Sequence, residues 1–200
     1  KAGKNSGGYC TYIPKYEAPF IFANFNGTRG DVDVLTHEAG HAFQVYSSRH
    51  NLPSQRWPGY EGAEIHSMSM EFLAWPWMEN FFKEDTAKYK FAHLTSAIEF
   101  LPYGVLVDHF QHEVYANPMM TPEERKNTWK NLEQKYQPWK KYDQMDAMNE
   151  GIWWFKQGHI FESPFYYIDY TLAQVIAFDF WGRNQTDRVN TWANYHALCK

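Results

Sequence analysis

The chain has 200 residues, enough for one domain with a buried core, and its formal net charge of −4, with no basic run, argues against nucleic acid as a partner. No apolar run reaches the roughly 18 residues of a membrane span, and no signal peptide opens the sequence. Two distant cysteines, Cys10 and Cys199, set no disulfide framework and fit a reducing compartment.

Along the chain, Gly3 to Gly8 reads as a polar, Gly-rich loop. Tyr9 to Ile13 is strand-forming and stops at Pro14, and Phe20 to Phe25 reads as a second short strand before the turn signal Asn26-Gly27. This pair is either a hairpin buried for packing or an edge to which an extended peptide adds as another strand. Asp31 or Asp33 is expected to cap a helix running to about Ser48, with Val34, Leu35, Ala42, Phe43 and Tyr46 on its apolar side. Gly40 inside it costs about 1 kcal/mol against Ala, a cost that a close backbone approach would justify. A second helix is predicted from Tyr60 to Pro76, a third from Asp85 to Leu101 bounded by Pro102 and Gly104, and a fourth from Val105 to Ala116. Thr121-Pro122-Glu123-Glu124 is a capping box opening a fifth helix to about Tyr136. Residues 138–158 are mixed and Trp-rich, with no clear element. Ser163-Pro164 is expected to open a last strong helix to Trp181, with Gly182 as its stop, and Asp187 to Leu198 reads as an unfinished helix. The predicted fold is mainly α with one small β-sheet or hairpin near the N-terminus. Lys1 is not an initiator Met and the sequence enters directly on a loop, so residues 1–200 are expected to be one domain cut from a larger chain.

The chemistry concentrates in Thr36-His37-Glu38-Ala39-Gly40-His41. Residues four apart share a helix face, so His37 and His41 can turn two imidazoles to one ion while Glu38 reaches a water on it. This is the arrangement of a zinc hydrolase in which the Glu is base and not ligand. The metzincin pattern would require Gly at 44 and His at 47; the sequence has Gln44 and Ser47, which excludes that class. In the other large class a Glu arrives from the next helix, and Glu64 lies 23 residues beyond His41. Glu61, His66 and Glu71 compete for this place. His66 points away from the Glu64 face, and Glu71, seven residues on, is better cast as an acceptor holding a ligand imidazole by its other nitrogen. Three protein ligands with an open fourth position make a catalytic site, where a structural zinc would be closed by four. His159, Tyr166 and Tyr170 are the candidates for donors to a developing oxyanion, with the two tyrosines four apart on one face and His159 in the loop before them. The pair His109 and His112, three residues apart, lacks either zinc-helix order and reads as an ordinary hydrogen-bonded helix face. Aromatics make up 19% of the chain; most are expected in the core, the remainder available to line a peptide cleft.

With these residues in place, the chain resembles the catalytic segment of the thimet oligopeptidase and oligoendopeptidase F family of zinc peptidases, closest on the oligoendopeptidase F side. The likeness rests on Gly3-Lys4 through Gly7-Gly8-Tyr9, Phe20 to Thr28, Asp31-Val32 leading into His37-Glu38-Ala39-Gly40-His41-Ala42, Glu64 to Glu71, and His159 to Tyr170. The resemblance implies a zincin-like (gluzincin) helical domain of a cytosolic endopeptidase that cuts short, unstructured peptides with one Zn2+ per chain. It implies His37, His41 and Glu64 as ligands, Glu38 as base and Tyr170 as the foremost oxyanion-side donor. His159 and Tyr166 carry over less closely, since their spacing needs a gap against the animal enzymes. The family's N-terminal helical lobe has no counterpart in these residues. The alternative of another class is a non-catalytic zinc-containing peptide-binding or structural module, which the presence of Glu38 opposes. A membrane-associated or secreted protease is a third possibility, without any anchoring sequence here.

Overall fold

The structure, a computed structural model, describes residues 3, 4 and 7–200, so the Gly-rich stretch 3–8 lies partly outside the described residues. Strand β1 (Gly8–Ile13) pairs antiparallel with β2 (Ala18–Ala23), Gly8 opposite Ala23 and Ile13 opposite Ala18. A 3-10 turn over Pro14–Tyr16 joins them, closed by Glu17 at φ 48°. The second strand therefore begins before Phe20 and ends before Phe25.

Helix α1 (Arg29–Ser47) has Thr28 at its N-cap position, not Asp31 or Asp33. Asp31 instead turns its carboxylate back to accept from the backbone N–H of Asn26 at 3.0 Å and of Gly27 at 2.6 Å, tying down the turn before the helix. Helix α2 (Tyr60–Leu73) starts where the sequence places it, and Pro76 lies in the 3-10 turn that follows. After the short α3 (Glu79–Phe82), α4 (Thr86–Ala116) is one helix with Pro102 inside, where the sequence predicts two. Pro102 removes one N–H, and the carbonyl it deprives belongs to Ile98, an exposed residue that water can serve.

Helix α5 (Pro122–Tyr136) opens with the expected capping box, Thr121 and Glu124 bonding reciprocally. The stretch without a predicted element holds α6 (Asp146–Asn149) and a 3-10 turn over Trp153–Lys156. His159 opens the short α7 (His159–Glu162) and does not sit in a loop. Helix α8 (Tyr167–Thr186) begins later than Ser163-Pro164 because Phe165 stands at φ 64°, and it runs through Gly182. A single glycine costs about 1 kcal/mol in a helix, too little to end one this long. The last helix, α9 (Arg188–Leu198), is capped by Asp187, which accepts from the N–H of Asn190 at 3.1 Å.

The chain divides into two compact units, residues up to 94 together with 172–200, and residues 95–171. In the first, both strands pack on α1 and α1 packs on α2. Gly40 makes the helix contact possible: a Cβ there would lie 2.6 Å from the carbonyl oxygen of His66 and 2.6 Å from Cα of Ser67. Leu73, Phe180, Tyr195 and Cys199 form a core cluster with Phe43, Ile65, Met70 and Ile176. Helix α9 also grips α2 by hydrogen bonds: His66 Nε2 meets the carbonyl of Leu198 at 3.2 Å, and the Tyr195 hydroxyl donates to the carbonyl of His66 at 2.8 Å. In the second unit, Leu106, Val107, Phe110, Trp129, Leu132 and Trp154 make the core. Cys10 and Cys199 are free thiols. Among the described residues, no helix is long and apolar enough to cross a membrane.

Candidate metal centre

Helical spacing puts His37 and His41 on one side of α1, and the close approach at Gly40 brings α2 against that side. Glu64, in the first turns of α2, reaches both rings: its Oε2 lies 3.1 Å from His37 Nε2 and 3.4 Å from His41 Nε2. The two imidazoles stand nearly edge to face, with centroids 5.1 Å apart. One ligand atom from each of the three residues falls within 4.8 Å of the others. Two bonds of about 2.0–2.1 Å at a tetrahedral angle separate their ligand atoms by roughly 3.3 Å, so these two N···O distances fit a single small divalent ion. Glu61 is exposed and His66 is bonded to α9, so neither joins the set.

The electrostatics fit as well. Burial raises the pKa of Glu64, but hydrogen bonds and charge from His37 and His41 outweigh it and hold the carboxyl well below its usual range. The Ser67 hydroxyl donates to the same carboxylate at 2.8 Å. Burial lowers the pKa of His37, yet its bonds to Glu64 and Glu71 prevail and push it up from 6.5 to about 10. A proton and a cation therefore compete for one lone pair on this ring. Glu71 takes the other ring nitrogen, with Nδ1 2.7 Å from Oε1, as its place one heptad after Glu64 predicts. Its second oxygen, Oε2, lies 2.8 Å from His93 Nε2, and Trp75 Nε1 donates to His93 Nδ1 at 3.2 Å. Burial works against ionisation of Glu71, but hydrogen bonds from His37 and His93 keep its pKa lowered.

Glu38 is buried, 7% exposed, and takes no part in the triad. Its pKa is raised, by burial first, with the pull of His37 and His41 too small to cancel it. Strand β1 comes close to this side chain: a Cβ on Gly8 would stand 3.5 Å from Glu38 Oε1. Burial and the charge of Glu38 together push the Cys10 thiol up to about 11.

In the second unit His159, Tyr166 and Tyr170 meet. Tyr166 precedes α8 and is not on it, yet its ring lies 5.1 Å from that of Tyr170. His159 Nε2 is 3.5 Å from the Tyr170 hydroxyl. Tyr103 donates to Gln157 Oε1 at 2.9 Å, which leaves the Gln157 amide nitrogen, 2.7 Å from His159 Nδ1, as donor. The proton of a neutral His159 then sits on Nε2, as an N–H donor. By contrast His109 bonds the Tyr136 hydroxyl and Glu113, and His112 pairs with Asp108, the ordinary helix face that the sequence predicts.

His93, Trp75, Tyr103 and Gln157 are the members that sequence reasoning missed. Trp75, four residues past Glu71, and Gln157, two before His159, carried a spacing signal; His93 carried none.

The sequence profile of peptidase family M3 matches residues 1–196. A 3.1 Å X-ray structure assigned as an oligoendopeptidase F is 64% identical with a TM-score of 0.96, covering 100% of this chain and 35% of that one. PZ peptidase A with an inhibitor is 60% identical, TM-score 0.96, over 100% of this chain and 36% of the other. A Bacillus anthracis protein assigned as an oligoendopeptidase F is 57% identical, TM-score 0.85, over 100% and 32%. The chain thus spans about a third of the length of the structures it matches. The comparison with curated proteins returns no match. With a profile that runs over nearly every residue and includes both helices of the triad, this chain belongs to peptidase family M3.

Proposed function

We propose that residues 1–200 form the catalytic domain of a longer, cytoplasmic, zinc-dependent oligoendopeptidase that hydrolyses internal bonds of short peptides, with neither nucleic acid nor membrane as a partner. The observation that carries this reading is the convergence of His37, His41 and Glu64 beside a buried, proton-seeking Glu38. His37, His41 and Glu64 would hold one zinc per chain, although two nitrogens and an oxygen suit other divalent ions too. Zinc, when bound, supplies a Lewis acid that acidifies water and polarises a carbonyl. Glu38 takes one proton from the attacking water as its oxygen joins the carbonyl carbon. When the C–N bond breaks, Glu38 returns that proton to the leaving nitrogen, so the carboxylate ends the cycle as it began. A raised pKa suits this double duty, since a carboxylate poised nearer neutrality both accepts and releases readily. Tyr170, with His159 and Tyr166, is assigned to donate hydrogen bonds to the developing oxyanion.

A quenched fluorescent peptide, with and without chelator, tests this on the full-length protein. The Glu38→Gln variant is expected to keep its zinc and lose about 10²–10⁴-fold in kcat. Equal rates in the two proteins, or a wild-type rate indifferent to metal removal, would discard the mechanism.

A further inference from the structure

The geometry points to Trp75 and His93 as positioning residues that set, through Glu71, which nitrogen of His37 is offered to a metal ion; the metal end of this inference rests on the site proposed above. An indole N–H only donates. At 3.2 Å from Trp75 Nε1, His93 Nδ1 must accept, so a neutral His93 carries its proton on Nε2. That N–H, 2.8 Å from Glu71 Oε2, occupies one oxygen of the carboxylate as an acceptor. The other oxygen, Oε1, is left to accept from His37 Nδ1 at 2.7 Å. With Nδ1 donating, Nε2 is the nitrogen of His37 that faces Glu64.

The Trp75 indole N–H, which only donates, and the Glu71 carboxylate, which only accepts, thus fix the His93 ring from both sides, and the ring in turn orients Glu71 with Oε1 toward His37 Nδ1. The His93 ring is held for this role: it is 6% exposed, 4.7 Å from the Phe72 ring and stacked within 16° of Tyr89 at 5.7 Å. Tyr89 is itself anchored by donating to Asp33 Oδ1 at 2.8 Å. A histidine kept merely to fill space would need neither the indole on one nitrogen nor the carboxylate on the other.

Two measurements on the full-length protein test this, one of them independent of metal. The histidine 15N spectrum of chelator-treated wild type is expected to show a neutral His93 as the Nε2–H form with Nδ1 accepting a hydrogen bond. Trp75→Phe, which removes the donor along with part of the ring, is expected to keep the proton on Nε2 and shift the Nδ1 resonance to that of an acceptor without its donor. A His93 spectrum unchanged by Trp75→Phe would overturn the proposal whether or not the protein binds zinc. Zinc affinity by chelator competition is the second readout. His93→Leu, which keeps packing volume without polar atoms, is expected to weaken zinc about tenfold, toward the lower end of losses seen beyond the ligands themselves. His93→Gln, able to donate to Glu71 and accept from Trp75, is expected to stay within about threefold of wild type. Equal losses in the two variants, or none in His93→Leu, would also overturn the positioning role. A wild type that binds no zinc, with the Trp75-dependent His93 spectrum intact, would instead sink the metal site and leave the proton order standing.

Discussion

Two pairs of histidines ride on helices of this chain, and only one pair has the makings of a centre. His37 and His41 are four apart on α1, and both rings reach the same oxygen of Glu64 on a second helix. His109 and His112 are three apart on α4, and each is claimed by a different carboxylate of its own helix, Glu113 and Asp108. The first pair shares a buried acceptor while the second is divided between two partly exposed ones. Histidines and acids in one stretch of sequence are therefore a weak sign; an acid from another helix that both rings reach is a strong one. What permits the shared acceptor is backbone proximity, since Gly40 lets α2 lie where a side chain would otherwise stand.

The contrast can be broken most sharply at its shared acceptor. Glu64→Ala is expected to lower zinc affinity by at least about 10²-fold, read as metal content after dialysis, because two imidazoles alone leave the ion poorly held. Unchanged content would move the third ligand elsewhere. Next in size is the helix contact. Propensity says Gly40→Ala should gain about 1 kcal/mol, but two backbone atoms at 2.6 Å from the new Cβ decide otherwise. We expect a net loss of about 1–3 kcal/mol in denaturant unfolding, together with weaker zinc binding. A stabilised variant would mean the helices separate without strain.

Protons give a finer test. The pKa of His37 is raised from 6.5 to about 10, so over that range the metal must expel a proton to bind. Apparent zinc affinity should therefore climb about tenfold per pH unit between roughly pH 7 and 8. In chelator the sign reverses: the stabilising contribution of the charged ring is complete below 6.5 and is lost as pH rises through about 10. A flat affinity profile would show that His37 is already neutral. The smallest effect belongs to the other pair. His112→Ala should change stability by no more than about 0.5 kcal/mol and leave metal content untouched, because its partner Asp108 lies on the same helix and the ring is mostly in water.

The sequence made the triad legible because its logic is local to each helix. Four-residue spacing placed His37 beside His41, and the heptad from Glu64 to Glu71 foretold that Glu71 would reach the second nitrogen of His37. Glu61 and His66 dropped out for reasons of face and exposure that the same helical arithmetic anticipates in part. His93 was invisible because it reaches Glu71 only after the chain has turned through Trp75–Trp77 and α3, a path no periodicity encodes. Residue type alone favours Asp31 as the cap of α1, but its carboxylate bonds to the turn behind it. Pro102 and Gly182 each disfavour a helix on their own and so look like stops in the sequence, but in long helices neither penalty is decisive. Phe165 at φ 64° delayed the start of α8, and nothing in an aromatic residue announces a left-handed backbone.

The grip of α9 on α2 has a consequence for biosynthesis. His66 is bonded to Leu198, 132 positions downstream, and its carbonyl receives the Tyr195 hydroxyl from 129 positions away. On a ribosome, α1 and α2 emerge long before those partners, and the polar atoms of His66 must stay hydrated until residues 195–198 arrive. Helix α2 can therefore complete these two hydrogen bonds only after α9 has been synthesised and has docked.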